Sequence, residues 1–166
     1  MAIAHHHAVM LGMRLTEVWL WPEPFAGTQP LLVSGRYVTA FSQPPKWNGG
    51  ARAFEWDGDP WWINGVGHAV FGSELYLAAR RCRFDAVPAA LLATAGSAVW
   101  EYGYEANGVR PSALDLVYTP LAGALLGEMR YVIYHGAAGL PHVPKAVLRG
   151  LMDPFGEVER AFGSPC

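Results

Sequence analysis

The sequence predicts an all-α fold, a compact helical bundle of three central apolar helices with short amphipathic flanking helices, membrane-embedded or membrane-associated. Three observations predict it. Apolar residues make up 52% of the 166 and charged residues only 16%, against about 25% charged in ordinary soluble domains. Three apolar runs of helical length follow one another: WWINGVGHAVFGSELYLAARR, AVPAALLATAGSAVWEYGYEA and SALDLVYTPLAGALLGEMRY. Each is punctuated by polar or ionisable residues, which are costly in apolar helices unless they pair with one another. A mean hydropathy of +0.14 and seven tryptophans lean the same way.

The elements divide into an N-terminal helix with an irregular lead-in (1–55), a core helical domain (56–135) and C-terminal amphipathic helices (136–166). Ala2 to Trp21 reads as a helix stopped by Pro22. His5–His7, Arg14 and Glu17 interrupt its apolar run, and no basic region precedes it, so it is not an ordinary secretory signal. The three histidines point only weakly to a metal tract. Leu31 to Phe41 has mixed periodicity and reads as a strand or a surface-lying segment. Pro44-Pro45 and Gly49-Gly50 then mark an irregular connection.

In the core, Asp57-Gly58 reads as a turn, Asp59 as an N-cap and Pro60 as the first helical residue. A helix from Pro60 to Arg83 is about 36 Å long, enough to cross a bilayer core. Arg80, Arg81 and Arg83 close it with charges that suit the helix dipole. If it spans a membrane, this end faces the cytoplasm. Asp85 to Pro88 is a tight turn, so the second helix, Ala86 to Ala106, packs antiparallel and stops at Asn107-Gly108. Ser112 with Asp115 three residues on makes a capping signal for the third helix. That helix is expected to kink at Thr119-Pro120, and its Gly123/Gly127 spacing lets another helix approach closely. Pro144–Met152 and Asp153–Phe162 read as amphipathic surface helices.

Composition also excludes. A net charge of −2 and no Lys/Arg stripe give nucleic acid no electrostatic footprint; membrane lipids are the expected partner, and no protein partner is indicated. Two cysteines build neither a disulfide framework nor a four-ligand metal site, and Cys82 reads as a free cysteine at a helix end whose thiolate its arginine neighbours favour. No phosphate loop, dinucleotide fingerprint, nucleophile elbow or HExxH occurs. No cofactor is expected.

The punctuating residues define the candidate site: a polar network of Asn64, His68, Tyr76, Arg80, Glu101, Glu105, Asp115, Thr119 and Glu128. Asn64, His68, Tyr76 and Arg80 recur at four-residue spacing on one face of the first helix. His68 fits a hydrogen-bonded structural residue, an acid–base group or a metal ligand. Glu101 and Glu105 share a face and repel, and they sit at the helix end the dipole disfavours for acids. They call for a cation: Arg110, Arg80 or a bound metal. Pairing with arginine is favoured over a metal held by His68, Glu101 and Glu105, because the Glu-x-x-His spacing of di-iron bundles is missing. Asp115 is explained by its place in the first helical turn. Glu128 needs a partner that Arg130, on another face, does not supply.

These strings resemble a specific family. DGDPWWINGVGHAVFGSELYLAAR followed by WEYGYEANGVRPSALDLVYTPLAGALLGE is similar to the bacterial domain of unknown function 3943 family over roughly Trp56 to Tyr131. The motif falls on Asn64, His68, Gly72, Tyr76, Ala79 and Arg80. It continues on Trp100, Glu101, Tyr102, Glu105, Pro111, Ser112, Asp115, Leu116, Thr119, Pro120, Gly123, Gly127 and Glu128. The resemblance implies a Gram-negative envelope protein and carries no activity. A fainter similarity of pattern links the chain to VanZ-like helical membrane proteins. Two functions are therefore expected. The first is a bacterial membrane or cell-envelope protein held together by its buried His/Glu/Asp/Arg network. The alternative is a membrane-embedded enzyme acting on a lipid or lipid-linked substrate, with His68 and Glu101 or Glu105 as acid–base or metal-binding groups.

Overall fold

Three apolar helices pack on one another in the computed structural model, which describes residues 2–25, 30–163 and 166, with only the backbone of Pro30 and Leu31. The first central helix takes its opening turn from Pro60, whose carbonyl accepts the N–H groups of Ile63 and Asn64. It is π-wound over Ile63–Gly67 and continues as α4 (His68–Arg81). The second, α5 (Ala86–Val99), ends in another π-wound stretch, Trp100–Glu105. The third, α6 (Ala113–Gly136), is capped by Ser112, whose Oγ accepts the Asp115 N–H at 3.2 Å. It runs through Pro120 as one helix. Around these lie α1 (Ala2–Leu20), the short α2 (Pro22–Phe25), α3 (Pro30–Ser42), α7 (His142–Met152) and α8 (Pro154–Ala161).

Three expectations need correction. Leu31 to Phe41 is not a strand: it lies on the surface, within the helix α3. Its β-branched and aromatic residues disguise a helix whose Arg36 donates to the carbonyls of Pro24 and Asn107. The only pairing of β type among the described residues is a single bridge between Lys46 and Ser112, which ties the irregular lead-in to the start of α6. Nor is any described helix long and apolar enough to cross a membrane: α4 and α5 are 14 residues each, and α6 carries Asp115, Glu128 and Arg130.

The third correction concerns the cysteines. Cys82 is not free: it is bonded to Cys166 across a sequence separation of 84 residues. Sequence spacing cannot show that α8 returns to the end of α4, where the two Cα atoms come to 5.3 Å. Closing so long a loop restricts the unfolded chain and contributes about 2–4 kcal/mol. Reduction, or Cys82→Ser, is expected to lower the unfolding free energy by about that much in denaturant titrations. Identical curves with and without reductant would show that the bond does not hold the chain end.

The tightest packing is between α4 and α6. A Cβ on Gly72 would strike the backbone of Thr119, and one on Gly123 would come within 2.6 Å of the Gly72 Cα. A Cβ on Gly127 would meet the Tyr76 ring at 2.7 Å. The small residues thus let the two backbones touch. The apolar core of Met10, Phe71, Leu75, Tyr76, Ala79, Ala89, Ala93 and Trp100 lies among α1, α4 and α5 and is small for this chain. Much of the rest of the interior is polar.

Candidate functional site

That polar interior forms two clusters of opposite character. The first is charge-balanced. Glu74 on α4 meets Arg81 at 3.2 Å, Arg130 of α6 at 3.2 Å and His5 of α1 at 3.0 Å. Arg81 also pairs with Asp153 and Glu159, and Arg160 reaches Asp153 at 3.1 Å. Asp153 caps α8 through the Gly156 N–H. Burial alone would raise the Glu74 carboxyl. The His5 hydrogen bond and the Arg81 and Arg130 charges outweigh it and hold the group down at about 2. Burial likewise opposes the charged form of His5, yet Glu74 and Glu159 keep its pKa raised. This cluster fastens α1, α4, α6 and α8 together.

In the sequence Arg81 reads as a helix-end charge, and nothing there joins Glu74, Arg130, Asp153, His5 and Glu159 to the network. Helical spacing puts Glu74 and Arg81 seven apart on one face, the one signal that could have joined them. The N-terminal histidines are three separate contacts: His6 Nε2 lies 2.8 Å from the Leu75 carbonyl and His7 Nδ1 2.9 Å from the Tyr104 hydroxyl. Glu128 finds Tyr76, which donates to it at 2.6 Å, and Arg80 at 3.1 Å. Tyr76, Arg80 and Glu128 therefore form a separate contact between α4 and α6.

The second cluster is acidic. One potential ligand atom from each of His68, Glu101 and Asp115 lies within 4.8 Å of the other two, and all three residues are buried. His68 Nδ1 is 2.9 Å from Thr119 Oγ1 and 3.6 Å from Asp115 Oδ1. Glu101 Oε2 accepts the Ser112 N–H at 2.7 Å. Asp57 stands behind them: Asn64 and the Asp59 N–H donate to its Oδ1 and the Ser112 hydroxyl to its Oδ2. Both π-wound stretches feed this point. A π turn adds a residue to the helical turn, re-aims the side chains after it, and recurs at functional sites. Here the first carries Asn64 and delivers His68, and the second carries Glu101.

Three oxygens in this region have no hydrogen-bond partner though fully buried: Asn64 Oδ1, Glu101 Oε1 and Asp115 Oδ1. Each such group costs about 1–3 kcal/mol, and more when charged. The expected arginine partners do not arrive. Arg110 donates to Gln43 instead, Arg80 is engaged by Glu128, and no ion pair of Glu101 or Glu105 with arginine forms among the described residues. Burial, and then the neighbouring carboxylates, push the Asp115 carboxyl up to about 9; burial, partly offset by the Ser112 N–H, puts Glu101 at about 8. Burial also lowers His68 to about 4. All three shifts run the same way, toward the protonated acids and the neutral imidazole.

Glu105 lies outside the converging group. Burial and the Glu101 charge raise its pKa well above the usual range. With Glu17, Asp59, Trp21 and Trp62 it lines a cleft of about 320 Å³. Asp115 is more than a cap residue: its N–H serves the cap while its carboxyl faces His68. Asp57, read as a turn, is the residue that orients Asn64 and Ser112.

A protein-family model described as Domain of unknown function (DUF3943) matches residues 53–155. That stretch contains the whole acidic cluster and the Glu74, Arg81, Arg130 and Asp153 members of the balanced one. No curated protein and no solved structure matches the chain.

Proposed function

The chain belongs to the DUF3943 family, and on that premise we propose that it is a bacterial envelope protein that associates with a membrane through the outer faces of its helices. The observation that carries this is the distribution of polarity. The inward side of α6 holds Asp115, Thr119 and Arg130, whereas its outward side exposes Val117, Leu121, Leu125, Met129 and Val132. Helix α5 exposes Val87 and Leu91, α7 Val143, Val147 and Leu151, and α1 Ile3, Leu11, Leu15 and Trp19. Ionisable groups inside and aliphatic faces outside are the pattern that an apolar surrounding selects. A protein partner would account for one such patch, whereas lipid accounts for several helices at once. Exposed Trp19, Trp21, Trp61 and Trp62 suit the headgroup level. The Cys82–Cys166 bond supports an oxidising compartment.

The proposed association is with the membrane surface; no described helix is long and apolar enough to cross. Within this reading the two polar clusters hold the helices in register. An enzyme acting on a lipid or lipid-linked substrate stands second, because His68, Glu101 and Asp115 are buried, whereas Glu105, outside the converging group, lines a cleft.

The test is flotation of the full chain with vesicles of phosphatidylethanolamine and phosphatidylglycerol. The protein is expected to rise with the vesicles. Leu121→Glu with Leu125→Glu is expected to weaken partitioning by about tenfold or more at unchanged helicity, since each leucine buries roughly 1.5–3 kcal/mol of apolar surface. A chain that stays wholly in the lipid-free fraction contradicts the reading.

A further inference from the structure

We propose that the acidic cluster is a binding site for one divalent first-row cation, such as Zn²⁺ or Mn²⁺, held by His68, Glu101 and Asp115. The two clusters supply the contrast that points to an ion. Around Glu74, carboxylates meet Arg81, Arg130, Arg160 and His5, so the charges cancel within the protein. Around Asp115 stand Asp57 and Glu101, with Glu17, Asp59 and Glu105 near enough to act on Glu101. The cations that act on these acids belong to the periphery: Arg14 pairs with Glu17, and Lys46 acts on Asp59. Among the described residues, the centre has acceptors and no paired positive charge.

The unpartnered atoms are a second, independent indication. Glu101 Oε1 and Asp115 Oδ1 are buried without a donor, and Asp115 Oδ1 faces His68 Nδ1 at 3.6 Å. Unsatisfied buried oxygens call for an explanation, a bound ion being a standard one. The other carboxylate contacts orient the group: the Ser112 N–H fixes Glu101, and Ser112 is fixed in turn by Asp57. Such supporting hydrogen bonds are what a metal site needs behind its ligands. Ligand atoms around a tetrahedral ion at about 2.0–2.2 Å sit roughly 3.3–3.6 Å apart. A group within 4.8 Å is therefore already assembled and draws in by about an ångström. One imidazole with carboxylates matches zinc, manganese or ferrous iron better than an all-oxygen calcium site or a thiolate site. All three ligands come from different helical segments, so the ion would clamp the π-wound ends of the central helices to the start of α6.

The experiment uses the full chain with its disulfide intact, stripped with EDTA and titrated with ZnCl2 or MnCl2 in buffer and in detergent. Reading in both media keeps the result separate from membrane association. The expected outcome is one bound ion per chain by elemental analysis after dialysis, with a thermal midpoint raised by several degrees. Asp115→Asn and Glu101→Gln should weaken binding on the order of a hundredfold or more while keeping helicity. His7→Gln, on the exposed part of the N-terminal histidine run, should leave it unchanged. Wild-type protein that takes up no metal and shows no midpoint shift overturns the proposal, whatever the variants do. So does binding that survives Asp115→Asn and Glu101→Gln but is lost in His7→Gln. If the cluster holds only protons, the two amide variants will be as stable as wild type in EDTA and metal will change nothing.

Discussion

Gly123→Ala is expected to destabilise the protein by about 3 kcal/mol or more, for the smallest possible enlargement of a side chain. The new methyl would enter the backbone of Gly72 on α4, within 2.6 Å of its Cα, where no flexible side chain can give way. Relief requires α4 and α6 to separate, which also pulls Thr119 from His68 and Glu128 from Tyr76. Gly12→Ala is the control. Nothing lies within 4 Å of its added Cβ, so in the middle of α1 it should stabilise by about 0.5–1 kcal/mol. Denaturant midpoints of the two variants measure the difference. Equal midpoints would mean that α4 and α6 are not in backbone contact.

Glu74→Ala comes next, with an expected loss of about 3–5 kcal/mol. Its removal takes from Arg130 the carboxylate it pairs with and from Arg81 one of three, Asp153 and Glu159 remaining, and an uncompensated buried charge is costlier than the pair was favourable. The pH dependence follows with a definite sign. Because the folded-state pKa of Glu74 is depressed to about 2 from its ordinary 4.5, its contribution is full above the ordinary value and is lost as pH falls toward 2. His5 runs the other way. Its pKa is raised from 6.5, so its contribution is full below 6.5 and fades as pH rises through the folded-state value. Stability from this cluster therefore peaks between about 4.5 and 6.5, and Glu74→Ala should flatten the acid limb of that curve. An unchanged acid limb would show that Glu74 is not ion-paired in solution.

The fold was legible where punctuation is local. Ser112 announces α6 through a cap that needs only three residues, and Asp153-Pro154 announces α8 in the same way. The glycines at 123 and 127 forecast a close helix contact, although the partner, Gly72, had to come from the structure. What stayed hidden depends on non-local return of the chain or on a change of helical pitch. The bond from Cys82 to Cys166 joins residues 84 apart. The π-wound stretches have no composition of their own, so Glu101 and Glu105 read as one pair on one face when only Glu101 joins His68. Asp57 looked like a turn because Asp-Gly usually is one; its carboxylate serves Asn64 and Ser112 only once the lead-in folds back against α6. Arg81 looked like a solvated terminus because the element that buries it, α8, begins 73 residues later in the sequence, at Pro154.

The two clusters give the bundle a division of labour. The balanced one closes its own charges and fastens the flanking helices. The acidic one is left with buried oxygens, Glu101 Oε1 and Asp115 Oδ1, that have no donor among the described residues, at the place where two helices abandon α-helical pitch to bring their side chains together. That imbalance is the reason to expect an ion. The most direct measurement is anomalous diffraction from crystals of the full chain grown with Zn²⁺ or Mn²⁺. One peak is expected among His68, Glu101 and Asp115, at about 2.0–2.2 Å from a donor atom of each. A fully occupied peak elsewhere, at the N-terminal histidines for example, or electron density showing the three side chains joined only by hydrogen bonds, would contradict the account.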